Sequence, residues 1–386
     1  MSKKLLIIAG LALMSLTACH RVTVMDLREE GKITFRTTVA NATKATGISP
    51  DYLKDQGFHL ATFEGPIAEA GVVKYFEMDL GGEQYKGDGY YVPYFWQDTP
   101  LHFYAWYPKS EDGTEGAGTM TVDKENGYAI TYTPAQSAAL QKDFSVAYNV
   151  GNKEDNGSTG VNLNFRHALS QVEIVVNNGS TLPDNTVIVK GLKVGNVIKS
   201  GTMTMPVLVT TEAAAEGNLL TGLWHGNVRT ATGDKNIQTY SIIHNSPISI
   251  ARGSAASVMG AGGNWMVVPQ VATPDVVWDV EKGGAGDKMY IALLVKLMQG
   301  SATVYPHSGT PAADKEGDYA WTAVPIPAEA SLESGKKYTF TLTFIINTGN
   351  AGNHISDGKE VLSHPIKLVV TVDDWIEVDN QGQILQ

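Results

Sequence analysis

Short segments in which apolar and polar residues alternate recur along the chain and leave little room for helices. In the first of them, Ile33, Phe35, Thr37 and Val39 alternate with Lys32 and other polar residues. A period of two is typical of a β-strand with one buried face. Further segments rich in β-branched and aromatic residues are Val72–Met78, Gly89–Phe95, Leu101–Tyr107, Tyr128–Thr133, Phe144–Val150, Val161–Phe165, Gln171–Val176, Thr186–Val194, Gly201–Val209, Gln238–Ile243, Trp265–Val268, Tyr290–Leu297, Tyr338–Ile346 and Ile366–Val372.

Turn-forming residues separate these predicted strands, for example at Asn126-Gly127 and Asn156-Gly157. Helical spacing is weak, and the two candidates, Pro50–Gln56 and Pro134–Gln141, span only two turns each. Many short strands, 40 glycines and no alternation of strands with helices favour β-sandwiches over a parallel sheet. We therefore predict an all-β fold.

The length of 386 residues is sufficient for two ordinary domains. A polar loop at Gly151–Gly160 precedes the candidate boundary at Gly160–His167. We predict one β-sandwich over residues 32–166 and a second over residues 167–386. The segment Glu212–Asp234, which is rich in small residues, is predicted to be a long loop of the second domain.

The N-terminus has the pattern of a secretory signal that ends at the only cysteine of the chain. Two lysines precede an apolar run from Leu5 to Leu16, which is too short to span a bilayer because about 20 apolar residues are needed. The sequence Leu16-Thr17-Ala18-Cys19 resembles the lipobox of bacterial lipoproteins. This resemblance implies cleavage of residues 1–18 and lipidation of Cys19, followed by a tether over residues 19–31. An ordinary signal peptide with a chance cysteine is the alternative.

Charge and residue content exclude several classes of function. The net charge of −11 disfavours nucleic acid as a partner, because affinity for phosphates comes mainly from Lys and Arg. Once Cys19 is lipidated, no thiol remains for a disulfide, a zinc–thiolate site or a cysteine nucleophile. Sequence motifs of serine hydrolases, zinc proteases and P-loop enzymes are absent. We therefore predict a protein that is not an enzyme and that needs neither cofactor nor metal.

Two polar features are interpreted as structural. His167 lies beside the apolar pair Ala168-Leu169, which favours a hydrogen-bonded histidine in the core or at the boundary over a ligand. The pair Asp373-Asp374 is interpreted as a solvated strand end, because neighbouring residues of a strand point to opposite faces.

An aromatic cluster is the best candidate for binding a small ligand. Its members are Tyr90, Tyr91, Tyr94, Phe95, Trp96, Phe103, Tyr104, Trp106 and Tyr107. Because Phe103 and Ala105 alternate with Tyr104 and Trp106, one set is expected to pack inward while the other covers the sheet. The alternative function is therefore an outer-membrane lipoprotein that binds glycans in a polysaccharide-uptake system. It would require an exposed row of coplanar aromatic rings.

Four stretches carry recognisable patterns in a fixed order. They are Phe165–Ile174 (F-x-H-x-L-S-x-V-x-I), Trp265–Gln270 (an apolar strand ending in Pro-Gln), Ser334–Phe340 (with G-K-x-Y-x-F) and Val370–Trp375 (V-x-V-D-D-W). Together with the lipobox, they resemble the fimbrillin superfamily of Bacteroidales over nearly the whole chain. The resemblance implies two tandem transthyretin-like β-sandwich domains and a structural role, as stalk or accessory subunit, in a type V fimbria. Anchor and tip roles stay open.

The resemblance also implies assembly by strand exchange from a lipidated precursor at the outer membrane. In this family a trypsin-like protease cuts after a basic residue near the first strand, and here the candidates are Arg36 and Lys44. Lys44 lies outside the alternating run, so it is the more accessible of the two. The displaced strand would contain Ile33, Phe35, Thr37 and Val39, and its loss would leave a groove for a strand of a neighbouring subunit.

The C-terminal tail is the candidate donor strand, because Ile376 and Val378 continue an alternating pattern there. The expected partners are other fimbrial subunits, the outer membrane through the lipid on Cys19, and the processing protease. The expected location is the cell surface.

Overall fold

The computed structural model describes residues 32–39, 53, 56–63, 73–78, 85–87, 90–91, 95–108, 119–123, 129–181, 183–204, 224–225, 236–270, 289–310, 312–326, 331–345, 351–353, 360–362, 366–374 and 383–385. Regular structure in these residues is almost entirely β, which confirms the predicted fold class. Within the same residues, no helix is long and apolar enough to cross a membrane.

The strands occur in the following order along the chain. They are β1 (Phe35–Val39), β2 (Phe58–Phe63), β3 (Val73–Met78), β4 (Tyr85–Gly87), β5 (Tyr90–Tyr91), β6 (Leu101–Tyr107), β7 (Thr119–Asp123), β8 (Ala129–Thr133), β9 (Ser145–Gly151), β10 (Val161–His167), β11 (Ser170–Asn178), β12 (Asn185–Ile198), β13 (Gly201–Thr204), β14 (Trp224–His225), β15 (Ile237–Ala251), β16 (Ala255–Ser257), β17 (Trp265–Val267), β18 (Tyr290–Gln299), β19 (Ala302–Tyr305), β20 (Lys315–Glu316), β21 (Tyr319–Pro325), β22 (Lys336–Phe344), β23 (Ala351–Asn353), β24 (Glu360–Leu362), β25 (Lys367–Asp374) and β26 (Gln383–Leu385).

Helical structure in the described residues is short. One α-helical turn, α1 (Lys153–Asn156), precedes β10, and the side chain of Asn152 caps it by accepting a hydrogen bond from the backbone of Asp155. Leu53 and Gln56 have helical backbone within the predicted helix at Pro50–Gln56. The predicted helix at Pro134–Gln141 is wrong, since only a 3-10 turn forms at Ala138–Leu140.

The first large sheet has nine strands in the order β26-β1-β10-β9-β6-β2-β3-β4-β5. Its apolar side arises from the alternation in the sequence, because Val161, Leu163 and Phe165 of β10 are buried while the residues between them are half-buried. These three side chains share a core with residues of β1, β2 and β6. The core of this sheet therefore includes the N-terminal strand.

Two further sheets pack face to face and form the second core. One has the order β16-β11-β22-β25, with β17 also paired to β11, and the other has the order β15-β12-β18-β21-β20, with β19 also paired to β18. Val172 and Ile174 of β11 and Phe340 of β22 meet Leu192 of β12 and Leu293 of β18 in one apolar cluster. This arrangement is a β-sandwich, as the alternating patterns predict.

A smaller sheet joins the two parts of the chain. Its order is β14-β13-β8-β7, so strands from residues 119–133 pair with strands from residues 201–225. Thr131 of β8 lies opposite Thr202 of β13, and their hydroxyl oxygens are 2.7 Å apart. The predicted domains 32–166 and 167–386 thus contribute strands to a common sheet, and part of the predicted loop Glu212–Asp234 is strand β14. The division at residue 166 itself stays a prediction.

Polar side chains hold the junction between β10 and β11. His167 is buried and its Nδ1 is hydrogen-bonded to the carboxylate of Asp143, in agreement with the structural interpretation of this histidine. The Gln141 amide donates to the carbonyls of Ala135 and Met266, at 2.9 Å each, and its oxygen accepts from the Met266 N–H at 2.6 Å. The segment before β9 is thereby bonded to β17 of the second core.

Candidate functional site

The N-terminal strand β1 is inserted between two strands that are distant in sequence. It runs parallel to β10, with Phe35 opposite Val161 and Val39 opposite Phe165. On its other edge it pairs antiparallel with β26, with Phe35 opposite Leu385. Both edges of β1 therefore make backbone hydrogen bonds, and neither neighbour is joined to it by a hairpin.

The described inward side chains of β1, and Ile33 just before it, are completely buried. Ile33, Phe35 and Thr37 have no exposed surface. The Phe35 ring packs edge-on against Phe103, with a centroid distance of 5.2 Å and an interplanar angle of 80°. We refer to the surface of β10 and β6 that receives these side chains as the β1 groove, and its walls include Val161, Leu163, Phe165 and Phe103.

The entrance of the β1 groove is formed by Gly160. This glycine has a φ of +75°, and the N–H of the next residue, Val161, donates to the Thr34 carbonyl at 2.8 Å. A Cβ at position 160 would lie 3.0 Å from Thr34 Oγ1 and 3.1 Å from the Thr34 carbonyl oxygen. Gly160 is thus needed both for its backbone conformation and for the close approach of β1.

Replacing Gly160 by alanine is expected to lower the free energy of unfolding by about 2 kcal/mol, because it adds the contact with Thr34 to a left-handed backbone that itself costs about 1 kcal/mol. Gly253→Ala is the matched control, since Gly253 has a φ of +73° and no heavy atom within 4 Å of an added Cβ. Urea denaturation of both variants measures the difference. Equal losses of unfolding free energy in the two variants would show that a side chain at position 160 does not clash with β1.

The structure describes only one of the two predicted cleavage residues, Arg36. Arg36 lies within β1, opposite Asn162 of β10 and Ile384 of β26, and Thr37, which supplies the nitrogen of the peptide bond after Arg36, is fully buried. The bond after Arg36 is therefore inaccessible to a protease while β1 is in its sheet. Lys44 and Cys19 lie outside the described residues, so their roles stay predictions.

The predicted donor residues Ile376 and Val378 also lie outside the described residues. The described part of the tail is β26, which pairs with β1. Upstream, β25 ends at Asp374, and its last two residues, Asp373 and Asp374, lie opposite Lys337 and Lys336 of β22. Strand β25 thus belongs to the second core, whereas β26 lies beside β1 in the first sheet.

Comparison with known proteins identifies the family. A family model described as fimbrillin-like matches residues 61–375. The chain belongs to the fimbrillin-like family. This result confirms the family resemblance, and it identifies the chain as a structural protein rather than an enzyme.

Two solved structures of fimbrial proteins are similar to this fimbrillin-like chain at low sequence identity. A fimbrial protein from Bacteroides vulgatus is 15% identical, with 89% of this chain and 99% of that chain covered and a TM-score of 0.55. A fimbrilin from Porphyromonas gingivalis is 10% identical, with 91% and 99% covered and a TM-score of 0.44. A search of curated proteins finds no match. The first likeness supports the β-sandwich fold of the fimbrillin-like chain.

The aromatic cluster does not form the exposed row that glycan binding would require. Phe103, Tyr104, Trp106 and Tyr107 are all buried, so the aromatic side chains on both faces of β6 are covered. Burial raises the pKa of the Tyr104 hydroxyl, and the neighbouring Tyr148, with a ring centroid 4.4 Å away, raises it further.

The remaining members of the cluster add no such row in the described residues. Phe95 and Trp96 are half-buried, and the Trp96 ring packs edge-on against Phe103. Tyr90 and Tyr91 form β5, whose side chains are not described, and Tyr94 lies outside the described residues. In the same part of the chain, no group of three or more His, Cys, Asp or Glu side chains could hold a metal ion.

Sequence reasoning identified β1 but missed most of the groove that receives it. The alternation at Val161–Phe165 predicted a strand, and nothing in it indicated that its neighbour is β1. Gly160 ends a polar loop, where a glycine is common and signals only a turn. Its contact with Thr34 depends on the pairing of segments more than 120 positions apart in sequence. Tertiary pairing of this kind has no local sequence signal.

Proposed function

We propose that this protein is a stalk or accessory subunit of a type V fimbria and that it assembles by strand exchange from a lipidated precursor. Membership of the fimbrillin-like family supports the fimbrial role. The observation that carries the strand-exchange proposal is the position of β1, a short N-terminal strand with one buried face between β10 and β26.

Loss of β1 would create a strong acceptor for another strand. The edge of β10 from Val161 to Phe165 would lose its backbone partners, and an unpaired buried backbone group is costly. The apolar walls of the β1 groove would be exposed at the same time. An extended segment with alternating apolar side chains satisfies both needs, which is the principle of strand addition to a sheet edge.

Processing after Lys44 fits the geometry better than processing after Arg36. A cut after Lys44 falls beyond the end of β1 at Val39, and it breaks the covalent link between β1 and the rest of the sheet. The strand is then held only by hydrogen bonds and apolar contacts. A cut after Arg36 would require β1 to leave its sheet beforehand, because the bond lies between two paired strands.

The position of the tail supports its role as donor. Because β26 pairs with β1, departure of β1 removes the partner of the tail as well as the occupant of the groove. Departure of β1 would thereby open the groove of a subunit and, at the same time, free the tail of that subunit to enter the groove of a neighbour. Lipidated Cys19 would hold the precursor at the outer membrane until a trypsin-like protease acts.

N-terminal sequencing and mass determination of the protein purified from cells test this proposal. A start at Ala45 in the polymer supports processing after Lys44, and a start at Thr37 supports processing after Arg36. A polymer whose subunits all begin at acylated Cys19 would contradict protease-triggered exchange. A Lys44→Ala variant should accumulate as a lipidated monomer, and Lys142→Ala, at a half-buried lysine elsewhere, is the control.

Removing the tail, residues 376–386, is expected to abolish SDS-resistant ladders, because the donor strand is lost. The processed monomer should stay folded, as measured by circular dichroism and its melting temperature. The matched control is a chain in which a Gly/Ser segment of equal length replaces the tail, which keeps the length and removes the alternating side chains. Ladders that persist in both variants would exclude the tail as donor.

A further inference from the structure

The buried side of β1 contains one residue that does not match its surroundings. Ile33 and Phe35 are apolar, whereas Thr37, equally buried with 0% exposure, has a hydroxyl with no hydrogen-bond partner. Buried hydroxyl groups in folded proteins are almost always hydrogen-bonded. Among the described residues, the buried hydroxyls of Thr37, Thr62 and Ser145 are exceptions, and Thr37 lies in the middle of β1.

The register explains why β10 offers the hydroxyl no partner. Thr37 lies opposite Leu163, and the next inward positions of β10 are Val161 and Phe165. All three of these side chains are completely buried and offer no polar atom. The position of Thr37 is therefore surrounded by hydrocarbon on the β10 side of the groove.

A hydroxyl without a partner makes β1 a weaker occupant than its shape allows. Threonine and valine have nearly the same shape, and valine has a methyl group where threonine has the hydroxyl. In the threonine strand, the hydroxyl loses its bonds to water on burial and gains none in return. Valine at this position would fill the same space without that loss.

We propose that the β1 groove selects a partner strand with a branched apolar side chain at the position of Thr37, and that Thr37 keeps β1 replaceable. This inference rests on the strand-exchange function proposed above. The tail offers such a pair, since Ile376 and Val378 are two residues apart, the same spacing as Phe35 and Thr37. An incoming tail would place an apolar side chain where β1 places a hydroxyl.

Thr37→Val is the test, and Thr37→Ser is its matched control, because serine keeps the hydroxyl and removes the methyl group. The full lipid-free precursor is prepared for each variant. Its melting temperature is measured first, then limited trypsin is added and the growth of SDS-resistant ladders is followed. Mass spectrometry follows release of the β1 peptide in the same samples.

Thr37→Val is expected to raise the melting temperature of the precursor and to slow β1 release and ladder growth about tenfold, which corresponds to about 1.4 kcal/mol. Thr37→Ser should lower the melting temperature and should not slow either process. Equal ladder rates for the wild type and Thr37→Val would overturn the inference and leave strand exchange intact. If the wild type forms no ladders, the proposed function fails, and an unchanged or lowered melting temperature for Thr37→Val would then overturn the inference about the groove independently.

Discussion

Replacing Phe35 by alanine is expected to lower the free energy of unfolding of the precursor by about 3–5 kcal/mol. The side chain is fully buried in the first core and packs edge-on against Phe103. Its removal leaves a cavity between β1 and β6, and it also loses an aromatic contact that contributes about 1 kcal/mol in other proteins. Urea denaturation of the uncleaved chain measures the loss.

The control for Phe35→Ala is Leu140→Ala, because Leu140 is 50% exposed and its truncation should change stability by less than about 0.5 kcal/mol. A second comparison is specific to strand exchange. Once β1 has been released, position 35 is absent from the subunit, so polymers from wild-type and Phe35→Ala precursors should melt at the same temperature. A lower melting temperature for the variant polymer would show that β1 stays in its sheet.

Replacing Asp143 by alanine is expected to lower the free energy of unfolding by about 1–3 kcal/mol, because it removes the carboxylate to which the buried His167 is hydrogen-bonded. Asp143 and His167 are hydrogen-bonded to each other, and each side chain is only 2% exposed. His167 ends β10, the wall of the β1 groove, so the loss should also loosen that wall. Thermal unfolding of the variant measures the effect.

Asp318→Ala is the control for Asp143→Ala. Asp318 contacts Lys296 at 3.4 Å, but its side chain is 80% exposed, and exposed pairs contribute little, between about 0 and 1 kcal/mol. A loss for Asp143→Ala no larger than that for Asp318→Ala would show that the buried pair does not hold the junction.

Local sequence patterns predicted the strands because a strand with one buried face has apolar residues at alternate positions. Ile33, Phe35 and Thr37 are all buried as that pattern predicts, and so are Val161 and Leu163. In β6, by contrast, Tyr104 and Trp106 are buried along with Phe103. A strand that is covered on both faces has no polar side to alternate, so the sequence cannot tell which residues face outward.

Long-range pairing could not be predicted from the sequence. The sheet shared by β8 and β13 joins residues about 70 positions apart, and the pairing of β1 with β10 joins positions 35 and 161. Each strand pattern is compatible with many neighbours, and only packing of the whole chain selects among them. The roles of Gly160 and of the unpaired Thr37 hydroxyl depend on which strands pair, so the sequence alone could not reveal them.

If subunits assemble by the strand exchange proposed above, the direction of β1 bears on whether assembly can be reversed. Within the described part of the nine-stranded sheet, β1 and β10 form the one parallel pair, and every other pair is antiparallel. Parallel pairs are slightly less stable per residue. A successor that enters β10 from the opposite end would present the same alternate side chains and would form the stronger ladder. The incoming strand would then be bound more stably than the β1 that it replaces. Excess free β1 peptide would therefore not dissolve a finished fibre.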